Sequence, residues 1–181
     1  YLCKKCNTQF ISTKNISSEL YNIIYSKKNT PGYYRYYNYA KKIKTQKDPL
    51  KFLSEQEPSY FPTYQFVENV SRKLRILEIG CGYGYLTYSL NRRGHNSLGI
   101  DISKRAIDFA KSRLGDYYVL SSIENLKTKD KFDLIVANEL IEHLENPSEF
   151  INKCKNLLKP NGHIIIATPN KDYSPDKSIW R

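Results

Sequence analysis

The chain has no methionine, a single tryptophan and three histidines among its 181 residues. With no Met even at the first position, it is expected to be a piece of a longer polypeptide. No apolar run approaches the roughly 18–20 residues that cross a bilayer, which excludes a membrane-spanning helix. The first residues, Tyr1 to Cys6, lack the basic-then-apolar order of a secretion signal. The four cysteines do not read as a disulfide framework, so a reducing cytoplasm is the expected location. A dense Lys/Arg block is also missing, although basic residues outnumber acidic ones 29 to 18, a net charge of +11. A spread excess of this kind suits an anionic partner without marking a nucleic-acid-binding segment, so nucleic acid ranks behind a small molecule as partner. Nothing in the sequence specifies an oligomeric state.

What is present is a globular composition, 40% hydrophobic and 26% charged. Two regions read differently. Residues 1–70 form a small, mainly helical N-terminal cap, unusually rich in tyrosine, with Tyr33, Tyr34, Tyr36, Tyr37 and Tyr39 in one cluster. Helices are expected over 17–25, 33–44 and 62–69, with Pro58 and Pro62 as breaks. The cluster is read as packing the cap helices onto the core or over a ligand, ahead of stacking on a sugar or base.

Residues 71–181 alternate regularly between strand and helix. Strands are expected over 74–79, 96–101, 117–120, 132–137 and 163–167, and helices over 83–93, 103–114 and 147–158. Near-continuous apolar strands separated by helices argue an α/β doubly wound parallel sheet covered on both faces. Ligands of such sheets bind at the carboxyl ends of the strands.

The strongest local signal sits at one such end. Glu78-Ile79-Gly80-Cys81-Gly82-Tyr83-Gly84 turns a strand sharply into a helix, and its glycines permit unusual φ values and close backbone approach. The helix N-terminus beyond it suits a carboxylate or phosphate. The spacing Gly-x-Gly-x-Gly fits a dinucleotide-binding fingerprint poorly, since Tyr85 stands at its sixth position. Asp101 ends the next strand, where a carboxylate can accept hydrogen bonds from ribose hydroxyls; helix capping ahead of Ser103 is the competing role.

Four motifs in order resemble the class I S-adenosylmethionine-dependent methyltransferases: the glycine turn, Gly99-Ile100-Asp101, Phe132 to Asn138, and Leu157-Leu158-Lys159-Pro160-Asn161-Gly162. The resemblance covers roughly residues 74–170. It implies that Glu78, Gly80, Cys81, Gly82 and Gly84 form the cradle for the methionine half of the cofactor. It further implies that Asp101 holds the ribose, Ile102 lies against the adenine, and Ser122 and Ile123 border it. Asn138 is placed near the methyl group. It also implies two more strands beyond residue 181, which would cover the open edge left by the fifth.

Asn138 leads into Glu139-Leu140-Ile141-Glu142-His143. His143 is the expected general base on the acceptor. Glu139, Glu142 and His143, on one side of a helical turn, can instead bind Mg or Mn; that reading ranks second, because no further ligand is visible. Cys3-x-x-Cys6 resembles half of a structural zinc site whose partners lie upstream. Together with the Tyr-rich cap it resembles sugar methyltransferases. The expected function is therefore methyl transfer to a small molecule such as a sugar nucleotide or polysaccharide precursor. The alternatives are a metal-dependent 2′-O-methyltransferase of small RNAs and a non-catalytic cofactor-binding scaffold.

Overall fold

The computed structural model describes residues 4–5, 18–25 and 33–169. Cys3 and Cys6, and with them the half zinc site, lie outside the described residues. Among the described residues no helix is long and apolar enough to cross a membrane.

Five parallel strands carry the fold: β1 (Arg75–Ile79), β2 (Asn96–Asp101), β3 (Tyr118–Leu120), β4 (Phe132–Asn138) and β5 (Leu158–Ala167). Their order across the sheet is β3-β2-β1-β4-β5. The chain starts in the middle, winds outward to β3, and returns to β1's other side with β4. This reversal leaves a crevice outside the ends of β1 and β4, where ligands of open α/β sheets bind. The two-residue period of a strand sorts the side chains. Ile76, Leu134 and Val136 face one apolar cluster; Leu77, Ile79, Ile135 and Ala137 face the other.

The first cluster is closed by α2 (Tyr34–Lys42), α3 (Pro49–Gln56), α4 (Phe61–Glu68), α5 (Tyr85–Arg92) and α6 (Lys104–Leu114). The second is closed by α7 (Pro147–Leu157), through Phe150 and Cys154. The cap helices and the sheet thus share one continuous core. Ile43, Leu50 and Leu53 are fully buried in it, each contributing about 1.5–3 kcal/mol of transfer free energy. A further short helix, α1 (Ser18–Ile24), packs beside α6.

Helix α3 is absent from the sequence expectation. Its eight residues are too few for a clear apolar period, yet its start is signalled by Asp48, which accepts from the Lys51 N–H, and by Pro49 in the first turn. Pro160-Asn161-Gly162, turn residues that predict a stop after the helix expected over 147–158, lie inside β5. Lys159 to Gly162 bulge out opposite Asp133, with Asn161 at φ 62°, and pairing resumes at Leu134 with His163. Asp133 anchors this end of the sheet. It accepts from the Arg75 N–H (2.7 Å), Arg72 (2.9 Å) and Lys159 (2.9 Å). Those partners outweigh its burial and hold its carboxyl at about 2.

Candidate active site

The glycine turn is laced to the end of β2. The N–H groups of Gly80 and Cys81 both donate to the Ile100 carbonyl (2.9 and 3.0 Å), and the Gly82 N–H donates to Asp101 Oδ2 (2.8 Å). All three glycines have left-handed backbone, at φ 75°, 49° and 78°, which side chains with a Cβ adopt only with strain. Space excludes a Cβ as well: at Gly84 it would lie 2.4 Å from the Tyr118 ring, and at Gly82 it would lie 2.7 Å from the Tyr25 hydroxyl. The tight turn is therefore required by the protein's own packing, in addition to any ligand.

Gly84 caps α5 but has no side chain to satisfy its first-turn N–H groups. Glu78 supplies that acceptor from β1. Its Oε2 accepts from the Thr87 N–H (2.8 Å) and the Thr87 hydroxyl (2.5 Å). The Glu78 carboxyl accordingly braces the turn from inside. Burial, with Asp101 nearby, pushes its pKa up to about 7 despite those bonds. A raised acid pKa stabilises the fold below the unfolded value of about 4.3, and that stability declines as pH rises toward 7. Glu78→Gln mimics the protonated form and retains acceptance from Thr87. Its thermal stability is expected to change little between pH 5 and 8, while the parent loses roughly 2–3 kcal/mol relative to it. Parallel declines in both proteins would show that Glu78 does not carry the titration.

Asp101 is buried and bonded on both oxygens: Oδ2 to Gly82 and Oδ1 to the Ser103 N–H (2.8 Å). Desolvation raises its pKa, opposed by these backbone bonds. Each oxygen retains a further lone pair, so the carboxylate can serve the turn and a ribose together. Ile102, immediately after it, leaves a large apolar side chain exposed at the crevice, as a residue lying against a planar base would. Ser122 follows β3, its carbonyl accepting from the Ser121 hydroxyl (2.8 Å). Ile123 is buried in the second apolar cluster beside β2. Cys81 is a buried free thiol whose pKa desolvation pushes far up.

Asn138 ends β4 with its side-chain Oδ1 and Nδ2 both buried and without a hydrogen-bond partner among the described residues. An orphaned buried amide costs about 1–3 kcal/mol, and a ligand in the crevice is one means of satisfying it. This amide, the exposed Ile102 and the Asp101 carboxylate fit S-adenosylmethionine in donor set and polarity.

The three residues expected on one helical turn are separated by the backbone. Glu139 has left-handed φ (50°), so helical geometry begins only at Ile141, in a short 3₁₀ turn ending at His143. His143 Nε2 lies 4.0 Å from Glu142 Oε1, and its ring stands edge-on to Tyr21. Glu139 turns instead to the cap, where the Tyr36 hydroxyl donates to it. Among the described residues no three His, Cys, Asp or Glu side chains gather in metal-binding geometry.

A helix is expected over 17–25 and α1 occupies Ser18–Ile24, but its place over the glycine turn carries no sequence signal. Tyr25 lies edge-on to Tyr83 (4.9 Å), and its carbonyl accepts from the Tyr83 hydroxyl (3.2 Å) and Arg105 (3.1 Å). The Ser103 hydroxyl donates to Asn22 Oδ1 (2.8 Å). A spacing of four places Tyr21 of α1 and Tyr25 of the turn that ends it on one face, but nothing in it indicates that the face meets the glycine turn.

A family model described as a methyltransferase domain matches residues 77–166. The ubiquinone biosynthesis O-methyltransferase of Bradyrhizobium diazoefficiens is 35% identical over 105 residues, covering 55% of this chain and 42% of that protein. Its namesake from Pelagibacter ubique is 41% identical over 105 residues, covering 55% and 44%. The chain thus spans less than half the length of these curated relatives. A Clostridium acetobutylicum S-adenosylmethionine-dependent methyltransferase superposes with a TM-score of 0.52 at 26% identity, over 60% of this chain and 48% of that one. The plantazolicin methyltransferase, solved with S-adenosylhomocysteine, shares the fold over 85% of this chain and 60% of its own (TM-score 0.57, 22% identity). The sheet order, the glycine turn tied to Asp101 and the family match converge: residues 77–166 are a methyltransferase domain of the S-adenosylmethionine-dependent class.

Proposed function

We propose that the protein transfers the methyl group of S-adenosylmethionine to a hydroxyl of a small-molecule acceptor. The observation that carries this reading is the Asp101 carboxylate, buried at the end of β2 and bonded to the Gly82 N–H of the glycine turn. The O-methyltransferase names of the curated relatives support a hydroxyl as acceptor.

The cofactor supplies a methyl group on a sulfonium, open to in-line displacement without further activation. The glycine turn from Gly80 to Gly84 and the start of α5 receive its charged amino-acid end. Asp101 binds the ribose and Ile102 covers the base, with Ser122 and Ile123 at its border. Asn138 meets polar atoms beside the reacting centre. His143, in the turn after β4, takes the acceptor's proton. Tyr21 of α1 and Tyr25 just beyond its end exclude water from both halves of the site.

Calorimetric titration with S-adenosylhomocysteine is expected to show one site per chain. Methyl transfer is then measured to catechol, to a nucleoside-diphosphate sugar and to a short RNA, each with and without chelator. Turnover of catechol that survives chelation is the expected result. Preference for the sugar nucleotide would move the acceptor toward polysaccharide precursors. Chelator-sensitive transfer to RNA would overturn the small-molecule reading, and binding without any turnover would favour a scaffold.

A further inference from the structure

Glu139 is one of two non-glycine residues with left-handed backbone among the described residues. Such conformations are strained and persist where the surroundings impose them, often at functional positions. Here the imposition is visible. The Glu139 N–H donates to the Ala167 carbonyl of the neighbouring strand (2.7 Å). Its side chain is clamped from the cap, with the Tyr36 hydroxyl and Arg35 Nη2 (3.5 Å) both bonded to Oε2. Arg35 is itself fixed by Glu57 (2.6 Å) and lies over the Tyr36 ring, 4.3 Å from its centroid. The Tyr39 hydroxyl donates to the same Glu57 oxygen (2.9 Å).

The clamp is one-sided. Oε1 of Glu139 has no protein partner among the described residues. Burial and the Glu139 charge hold the Tyr36 phenol far above its ordinary pKa, so Tyr36 remains a donor at any working pH. The residue before Glu139 is Asn138, whose buried amide has no partner among the described residues. A strained backbone, a carboxylate with one oxygen fixed and the other open, and an orphaned amide therefore meet at one strand end, beside the His143 turn.

We propose that Glu139 Oε1 accepts a hydrogen bond from a second O–H or N–H donor of the methyl acceptor, with Tyr36 and Arg35 as the residues that position it. The proposal rests on the methyltransferase reading and adds a specificity to it. His143 takes the proton of the reacting hydroxyl, and Glu139 selects acceptors that carry another donor over those with a lone hydroxyl. The N-terminal cap, through Tyr36 and Arg35, then governs the choice of acceptor while the domain's own residues hold the cofactor.

The test compares catechol, which has two donors, with phenol, which has one, each titrated into the complex with S-adenosylhomocysteine. The unaltered protein is expected to prefer catechol by about tenfold, the scale of one hydrogen bond to a charged group. In Glu139→Gln the amide oxygen stays on Tyr36 and the NH₂ faces the acceptor, donor against donor. The preference is expected to fall to about threefold or less. Tyr36→Phe is expected to lower it in the same sense, and both variants are expected to bind S-adenosylhomocysteine as the parent does. Glu139→Gly relieves the backbone strain and is expected to keep the melting temperature while losing the preference, which a purely structural role would not produce. An undiminished catechol preference in Glu139→Gln and Tyr36→Phe, or a parent protein that treats both probes alike, would overturn the proposal. Failure to bind S-adenosylhomocysteine would instead remove the methyltransferase reading on which it stands.

Discussion

Replacing His143 with alanine is expected to lower turnover by about 10²–10⁴-fold, the contribution of one positioned general base. The expectation follows from position. β4 delivers its carboxyl end to the crevice, and the 3₁₀ turn Ile141–His143 holds the imidazole directly beyond it, edge-on to Tyr21. The ring makes no bond that holds the glycine turn or Asp101, so affinity for S-adenosylhomocysteine should stay within about twofold of the parent. Loss of turnover with intact cofactor affinity identifies a group used in the reaction. Equal losses in both would make His143 a structural residue of the turn. A chelator arm separates the rival chemistry: if Glu139, Glu142 and His143 held a cation, activity would vanish on chelation and return with Mg or Mn. The backbone break at Glu139 and its engagement by Tyr36 favour survival of activity.

Asp101→Ala is expected to weaken S-adenosylhomocysteine binding by about 10–100-fold, equivalent to roughly 1.4–3 kcal/mol. Two losses combine. One is the charge-assisted bond to the ribose. The other is internal: Gly82 and Ser103 lose their shared acceptor, leaving two buried N–H groups unsatisfied and the glycine turn untied from α6. Asp101→Asn separates them, since its amide oxygen can keep one of the two backbone bonds. An intermediate loss is expected for Asn, read by the same calorimetric titration. Affinity unchanged in the alanine variant would remove Asp101 from the cofactor site.

The sequence was most legible where local chemistry is decisive. Asn96–Asp101 is a strand over the limits that its apolar run implies, and Ser103 caps α6 by accepting from the Ala106 N–H (3.3 Å), as a Ser before an apolar-periodic stretch should. Glycines at 80, 82 and 84 indicate a turn because few other residues tolerate those φ values. Legibility failed where the pattern was short or split. Helix α3 is too brief to show a period, and the bulge at Lys159 to Gly162 looks like a stop because Pro160, Asn161 and Gly162 are turn residues. Glu139, Glu142 and His143 have helical spacing, but spacing does not reveal that Glu139 departs from the helix.

The sequence by itself determined the doubly wound sheet, the glycine turn and the place of Asp101, because strand period, helix caps and glycine φ preferences act over a few neighbouring residues. Only the tertiary structure decided what those side chains do. Glu78 faces inward to Thr87, nine residues on, and Tyr36 reaches Glu139 across more than a hundred. The cap and the domain bury one core, and the Tyr36 hydroxyl ties α2 to the residue after β4. Such partnerships depend on how separate elements pack, and packing is set by the whole apolar surface rather than by any local run of residues.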